Sequence, residues 1–259
     1  MAEIHIPTLA PETIGHVGNF AVTNTMVNVW LALVIFLGLG IVISRGVRLN
    51  PGKLQNGCEY ILELLFGYFD QVTGERKRTL RFLPLVGSIF FFILLSNWLG
   101  LLPGTGSITV GQTFLFRPAN TDLNLTVAMA LVSVISSHIF GLVAVGFFTH
   151  LGKFVQFGNL VRSFKKGPIG IFSAVIEFAV GLIEIVSELA KVLSLSLRLF
   201  GNIFAGEVLI SVISALVAAV VPTPFMLLEL LVGLIQASVF AMLTLVYLTV
   251  ASEKPHGSH

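Results

Sequence analysis

Ionisable and amide side chains occur inside one of the most apolar parts of this sequence. The stretch LSLSLRLFGNIFAGE, residues 193–207, places Arg198 among leucine, phenylalanine and isoleucine residues. The surrounding apolar region holds further polar groups, namely Glu177, Glu184, Glu188, Lys191, Asn202, Glu207, Glu229 and Gln236. A charged side chain at the centre of a bilayer costs roughly 2.5 to 3.5 kcal/mol, so such groups face protein or water rather than lipid.

The spacing of these residues predicts a polar stripe along one helix. At about 100° per residue, several side chains fall within about 40° of Arg198, namely Glu184, Ser187, Lys191, Ser194 and Asn202. Glu207 falls about 180° away, on the opposite face of the same helix. Glu229 and Gln236 share a face of the following helix and could meet one of these two surfaces. We therefore expect two separate polar surfaces on this helix.

For several of these groups the sequence leaves a purely structural role open. Glu188 and Lys191 could neutralise each other as a pair, and Glu177 could extend toward the membrane interface. Arg198 could bond to backbone carbonyls. Glu207 and Gln236 could hold helices together.

Motifs for other chemistry are missing from the sequence. It contains no P-loop, GxSxG, HExxH or CxxC motif, so nucleotide hydrolysis and intramembrane proteolysis have no sequence support. The one cysteine, Cys58, can form neither a disulfide within the chain nor a cysteine-based metal site. His138 and His150 are too far apart to act as ligands on one helix face, and the other histidines lie near the termini. We expect no metal, no cofactor and no role for these histidines.

Composition indicates an integral membrane protein. Of the 259 residues, 55% are hydrophobic and only 11% are charged, which is too apolar for a soluble domain of this length. The formal net charge of +2 provides no field that would attract nucleic acid. We predict an all-α membrane protein in contact with the lipid bilayer and with no nucleic-acid partner.

Five apolar segments are long enough to cross a bilayer, because about 20 helical residues span roughly 30 Å. They are residues 26–44, 82–102, 123–148, 168–220 and 225–250. Residues 52–72 are amphipathic and interrupted by charges, which predicts a helix lying at the interface. Residues 1–25 contain no Lys or Arg, so they do not resemble a cleavable signal and form an external segment. Residues 1–259 make one integral membrane domain.

The segment 168–220 is too long for an upright helix. As one helix it would measure about 75 Å, more than twice the hydrocarbon thickness. The segment must either break or tilt, and no proline interrupts residues 169–221 to support a break. We expect a long tilted helix, paired with residues 225–250, that lies against a partner in the membrane.

Basic residues distinguish the two sides of the membrane. Those between the first two spans are Arg45, Arg48, Lys53, Arg76, Lys77, Arg78 and Arg81, and those between the third and fourth are Lys153, Arg162, Lys165 and Lys166. The connections on the opposite side contain only Arg117. The positive-inside rule therefore predicts an external N-terminus and a cytoplasmic C-terminus.

The stretch LSLSLRLFGNIFAGE resembles subunit a of the rotary F-type ATP synthases, the membrane stator that faces the ring of c subunits. The resemblance extends along most of the chain, through LLSNWLGLLPG at 94–104, PANTDLNLTVAMAL at 118–131 and LIQASVFAMLTLVYLTVASE at 234–253. It implies a bacterial inner membrane, or alternatively an organellar one. The implied partners are the c-ring, against which the long helix pair would pack, the peripheral stalk subunit b and other synthase subunits.

The resemblance also implies roles for individual residues. Arg198 matches the stator arginine that faces the rotor carboxylate. The half-channel open to the outside is matched by Asn202, Glu207 and Gln236. The half-channel open to the cytoplasm is matched by Glu184 and Ser187. Glu229 departs from relatives that carry histidine there, although a carboxylate can do the same work on the proton path.

The function implied by this resemblance is proton translocation through two offset half-channels, coupled to c-ring rotation and ATP synthesis, by a chain that is not itself an enzyme. Two other classes of membrane protein can also carry several charged side chains inside the bilayer. A self-contained channel or secondary transporter would be expected to show two related halves, which this sequence lacks. A structural scaffold would use the polar stripe only for assembly. The sequence leaves both proton and sodium open as the coupling ion.

Overall fold

The computed structural model describes residues 8–46, 52–102, 108–110, 113–147, 168–217 and 221–253. The predicted cytoplasmic charges Arg48, Lys153, Arg162, Lys165 and Lys166 lie outside the described residues, as does His150. Glu177 lies within a helix, but its side chain is not among those described.

The described chain is built mainly of helices. These are α1 (Asn24–Gly46), α2 (Lys53–Thr73), α3 (Arg76–Gly100), α4 (Leu123–Val145), α5 (Pro168–Leu216) and α6 (Pro222–Ser252). All except α2 contain a segment long and apolar enough to cross a membrane. The prediction of an all-α membrane protein with five membrane helices is confirmed.

Helices α3 and α6 begin before the expected ranges because helix formation does not stop at the edge of an apolar segment. Helix α3 begins at Arg76 and includes the basic turn that precedes the predicted span. Helix α6 begins at Pro222 rather than at residue 225, with a proline in its first turn, where the missing N–H costs no hydrogen bond. Helix α5 runs unbroken for 49 residues, as its lack of internal proline allows.

Two short antiparallel hairpins were not predicted. Strand β1 (Thr13–Val17) pairs with β2 (Phe20–Thr23), and β3 (Thr109–Val110) pairs with β4 (Thr113–Phe114). A 3₁₀ turn at Ala119–Thr121 then leads into α4, whose first turn is capped by the Asp122 side chain accepting from Asn124 N at 2.9 Å. We call the end of the bundle that carries these strands and this turn the hairpin end.

Helix α6 lies at the centre of the bundle and packs against α2, α3, α4 and α5. Its buried face carries small residues one turn apart, Gly233, Ala237 and Ala241, which let neighbouring helices approach closely. A Cβ at Gly233 would lie only 3.1 Å from Asn97 Cβ of α3. The core around this face contains Phe90 and Ile93 of α3 together with other apolar residues of α2 to α6.

Helix α5 lies at the edge of the bundle. Only 17% of its most apolar segment is buried inside the chain, compared with 56% of the corresponding segment of α3. Its outward face presents large apolar side chains, among them Ile183, Val186, Leu193 and Leu197. Because a face of this size is apolar and unpacked, it lies against lipid or another subunit.

Candidate functional site

Helices α5 and α6 run antiparallel and meet at three polar levels. Nearest the end opposite the hairpins, Lys191 Nζ lies 5.3 Å from the centre of the Tyr247 ring. At the second level, Asn202 Nδ2 donates to Gln236 Oε1 at 2.8 Å. At the third level, Gly206 faces the carboxyl group of Glu229.

Arg198 lies between the first and second of these levels and is exposed on α5. Its Nη2 donates to Ser194 Oγ one turn earlier, at 3.2 Å. Within the described part of the chain, no carboxylate lies within ion-pair distance of it, and no backbone carbonyl accepts from it. The alternative of an arginine bonded to carbonyls is therefore not what the described residues show. The guanidinium is presented on the outward side of the helix.

Glu229 is buried at a position where the facing residue of α5, Gly206, has no side chain. A Cβ added at Gly206 would overlap the Glu229 carboxyl group, so only glycine leaves room for it. Glu229 is 8% exposed, and its Oε1 has no hydrogen-bond partner among the described residues. The neighbouring Gln236 is 3% exposed, and its Nε2 likewise lacks a described partner.

Glu207 and Glu229 face the same small cavity at the hairpin end. Its wall is formed by Asn97, Leu101, Pro118, Ile203, Glu207 and Glu229. Glu207 does point away from the Arg198 side of α5, as its helical angle predicts. Glu229 of α6 lies over Gly206 and forms another part of the cavity wall. We call Asn202, Glu207, Glu229 and Gln236 the hairpin-side group.

Sequence reasoning missed the ion pair that binds Glu207. Arg117 Nε donates to Glu207 Oε1 at 2.9 Å, and Nη2 donates to Oε2 at 3.0 Å. The side chains are only 5% and 14% exposed. The available signal is that Arg117 is the single basic residue in the connections predicted to be external. The sequence uses Arg117 only in the charge count that predicts topology, whereas the structure shows it buried and paired with Glu207.

A second missed feature is the amide network beside the cavity. Asn97 Nδ2 donates to Gly233 O at 3.2 Å, and Asn97 Oδ1 accepts from Asn120 Nδ2 at 2.7 Å. Both asparagines are at most 2% exposed. These bonds connect α3, α6 and the turn before α4, so the wall of the cavity is held by hydrogen bonds.

The other polar residues of α5 lie toward the opposite end of the bundle. Glu184 and Ser187 are half-buried. Glu188 accepts from Lys191 Nζ at 2.6 Å, and its second oxygen lies 3.3 Å from His138 Nε2 of α4. His138 of α4 thus contacts Glu188, a contact that the sequence does not indicate. We call Glu184, Ser187, Glu188, Lys191 and His138 the opposite-side group.

Arg198 thus separates two polar groups along one helix. From Glu184 to Glu207 the distance along α5 is about 35 Å, comparable with the hydrocarbon thickness. A guanidinium effectively never deprotonates, so this residue cannot pass a proton between the groups. The described residues contain no cluster of His, Cys, Asp or Glu suited to a metal ion. The arrangement is suited to proton exchange on either side of a fixed positive charge.

Comparison with known proteins covers nearly the whole chain. The family model described as ATP synthase A chain matches residues 26–249. The chain is 32% identical over 238 residues to ATP synthase subunit a of Moorella thermoacetica, covering 92% of this chain and 94% of the relative. It is 37% identical over 236 residues to ATP synthase subunit a of Gloeobacter violaceus, with coverages of 91% and 86%. For ATP synthase subunit a of Syntrophobacter fumaroxidans the identity is 31% over 255 residues, with coverages of 98% and 95%.

Proposed function

Because the chain belongs to the ATP synthase A chain family, we propose that it is the stator subunit through which protons cross the membrane sector of a rotary ATP synthase. The observation that carries this proposal is the position of Arg198. It is exposed on α5, has no carboxylate partner within the described residues, and lies between the hairpin-side and opposite-side groups. A partner carboxylate from another chain would complete this site.

The proposed mechanism uses a carboxylate carried by a moving ring of c subunits. In lipid this carboxylate must be protonated, because an ionised one would be too costly. At 4 Å and an effective dielectric of 20, Arg198 would favour the ionised form by about 4 kcal/mol, which is about a thousandfold in the ionisation equilibrium. The rotor carboxylate therefore releases its proton as it reaches Arg198.

The hairpin-side group supplies the path to the outside. Glu229 lines the cavity and has a buried oxygen without a described hydrogen-bond partner, so it can take a proton there. Gln236 and Asn202 continue the polar path from Glu229 toward the Arg198 level. Glu207 forms the other wall of the same cavity.

The opposite-side group supplies the path to the cytoplasm. Glu184 and Ser187 lie about three to four helical turns from Arg198 and are partly exposed. Because the two paths are offset along α5, a proton can pass between them only by travelling on the ring. Each proton moved across the full potential contributes about 2.3 kcal/mol per 100 mV, which drives rotation in one direction.

The outward apolar face of α5 is the proposed contact with the c-ring. In this arrangement α5 and α6 lie tilted against the ring, and the chain also contacts the peripheral stalk subunit b and other synthase subunits. The chain forms one integral membrane domain of a bacterial inner membrane, with its N-terminus outside and its C-terminus in the cytoplasm. It performs no catalysis on nucleotides itself.

Replacement of Arg198 tests this function. Arg198→Ala should abolish ATP-driven proton pumping in membrane vesicles while the complex still assembles, because no fixed charge then displaces the rotor proton. Arg198→Lys should also fail, since a lysine can change protonation when buried. Arg45→Ala, at the exposed end of α1, is the matched control and should pump normally.

The outcomes separate the proposal from its alternatives. Normal pumping by Arg198→Ala would contradict proton translocation through this site. Loss of assembly, with no separate defect in transport, would favour a scaffold.

A further inference from the structure

Arg117 is held in a site that uses nearly all of its hydrogen-bonding capacity. Besides its bonds to Glu207, its Nη2 donates to Thr8 O at 2.8 Å and its Nη1 donates to Ala10 O at 3.2 Å. Its own backbone carbonyl accepts from Asn28 Nδ2 of α1 at 2.8 Å. A guanidinium has five N–H donors, and such complete coordination of a side chain that is 5% exposed indicates a built site.

The two carboxylates that share the cavity differ in their partners. Both oxygens of Glu207 accept hydrogen bonds from Arg117, in the paired geometry typical of an arginine with an ionised carboxylate. Glu229 Oε1 has no described hydrogen-bond partner. The charged groups that face Glu207 are Arg117, Glu229 across the cavity, and Glu12 of the N-terminal segment. Arg117 is the one cation among these three.

We propose that Arg117 is a positioning residue that fixes Glu207 as a permanent anion, so that Glu229 is the carboxyl group of this cavity that takes up and releases protons. The inference rests on the proposed function and assigns separate tasks to two residues placed together on the proton path. Without Arg117, Glu207 would be a second buried carboxyl group in the cavity. It would then bind protons and compete with Glu229.

The backbone of residues 8–10 takes part in this arrangement. Thr8 and Ala10 donate no side-chain group to Arg117, but their carbonyl oxygens orient the guanidinium toward α5. Asn28 orients the segment that carries Arg117 from the other side. The N-terminal segment therefore supports the cavity at the hairpin end.

A comparison of single and double variants tests this role in the assembled complex. Arg117→Gln should lower ATP-driven pumping at neutral pH by about tenfold or more, because it leaves a buried carboxylate without its cation. It should also add a new pH dependence, since Glu207 then titrates within the working range. Adding Glu207→Gln to Arg117→Gln removes that carboxyl group, so it should recover most of the lost pumping and abolish the new pH dependence.

Two further variants keep the test decisive. Arg76→Gln removes an exposed arginine that pairs with Asp70 at the α2–α3 corner, and it should leave the pH profile unchanged. Arg117→Lys keeps a cation beside Glu207 and replaces the glutamine variant if that variant does not assemble. It should show a smaller shift of the pH profile, because lysine cannot form the paired geometry.

The inference would be overturned if the double variant pumped no better than Arg117→Gln, or if the pH profile of the Arg117 variants matched that of the wild type. If either result were found while Arg198→Ala remained inactive, the proposed function would stand. Only the role of Arg117 would then be removed. Normal pumping by Arg198→Ala would instead remove the proposed function.

Discussion

At the residue scale, the proposed path to the outside depends on the glycine at position 206 as well as on the charges around it. Glu229 of α6 can lie against α5 only because residue 206 is glycine. The buried carboxyl group then lines the cavity next to Glu207 and lies one to two turns from Gln236 on the same helix. A sequence reading identifies Glu229 and Gln236 as polar residues on one face, but it gives no reason for Gly206.

Gly206→Ala should therefore disrupt the path without changing any charge. The added methyl group would overlap the Glu229 carboxyl group, and overpacking of this kind typically costs about 1 to 3 kcal/mol. We expect Glu229 to be displaced and ATP-driven pumping to fall strongly at a normal level of assembled complex. Gly201→Ala is the control on the same helix, because a Cβ there meets nothing within 4 Å. If Gly206→Ala pumped as well as Gly201→Ala, the position of the Glu229 carboxyl group would be shown not to matter for pumping.

At the element scale, the length of helix α5 is predictable from the sequence. The residues that pack against it from other parts of the chain are not. Its length follows from an apolar segment without proline, and the angle of each residue follows from helical geometry. The angle of Glu207 correctly indicates a face turned from Arg198. It does not indicate that Arg117, 90 residues away in the chain, lies against that face. His138 illustrates the same limit, because its contact with Glu188 depends on how α4 packs against α5.

The short hairpins show a different limit. Strands β3 and β4 contain only two residues each, too few for alternation of polar and apolar side chains to be recognised. Strands β1 and β2 lie in a segment whose composition indicates only that it is external. Long apolar helices therefore follow from the sequence, while the polar connections that close the hairpin end do not.

The contact between α4 and α5 gives a further prediction. Lys191 pairs with Glu188 on the same helix at 2.6 Å and lies beside Tyr247 of α6, while Glu188 also contacts His138 of α4. Lys191→Ala leaves a half-buried carboxylate facing only His138, which should lower the thermal stability of the solubilised complex. The double variant Lys191→Ala with Glu188→Ala should recover much of that stability.

If the losses of thermal stability from the two single substitutions simply added in the double variant, Glu188 and Lys191 would not act as a pair. Arg45→Ala again serves as the control, because Arg45 lies at the exposed end of α1.

At the scale of the whole molecule, the bundle supports a largely exposed helix, α5, that carries Arg198 on an otherwise apolar surface. Helix α6 is packed by four neighbours, while α5 presents its apolar face and Arg198 outward. The hairpin-side and opposite-side groups lie toward opposite ends of the bundle. If a rotor carries protons past Arg198, these two groups must be reached by water from opposite sides of the membrane.

Access of a thiol reagent from each side tests this central claim most directly. Cys58 is the only cysteine, so Cys58→Ser alone provides a cysteine-free background. In that background, Glu229→Cys and Ser187→Cys introduce one thiol into each group. The assembled complexes are then treated, in vesicles of either orientation, with a small membrane-impermeant methanethiosulfonate reagent. We expect residue 229 to be labelled only from outside and residue 187 only from the cytoplasm. Labelling of both residues from the same side would contradict this expectation.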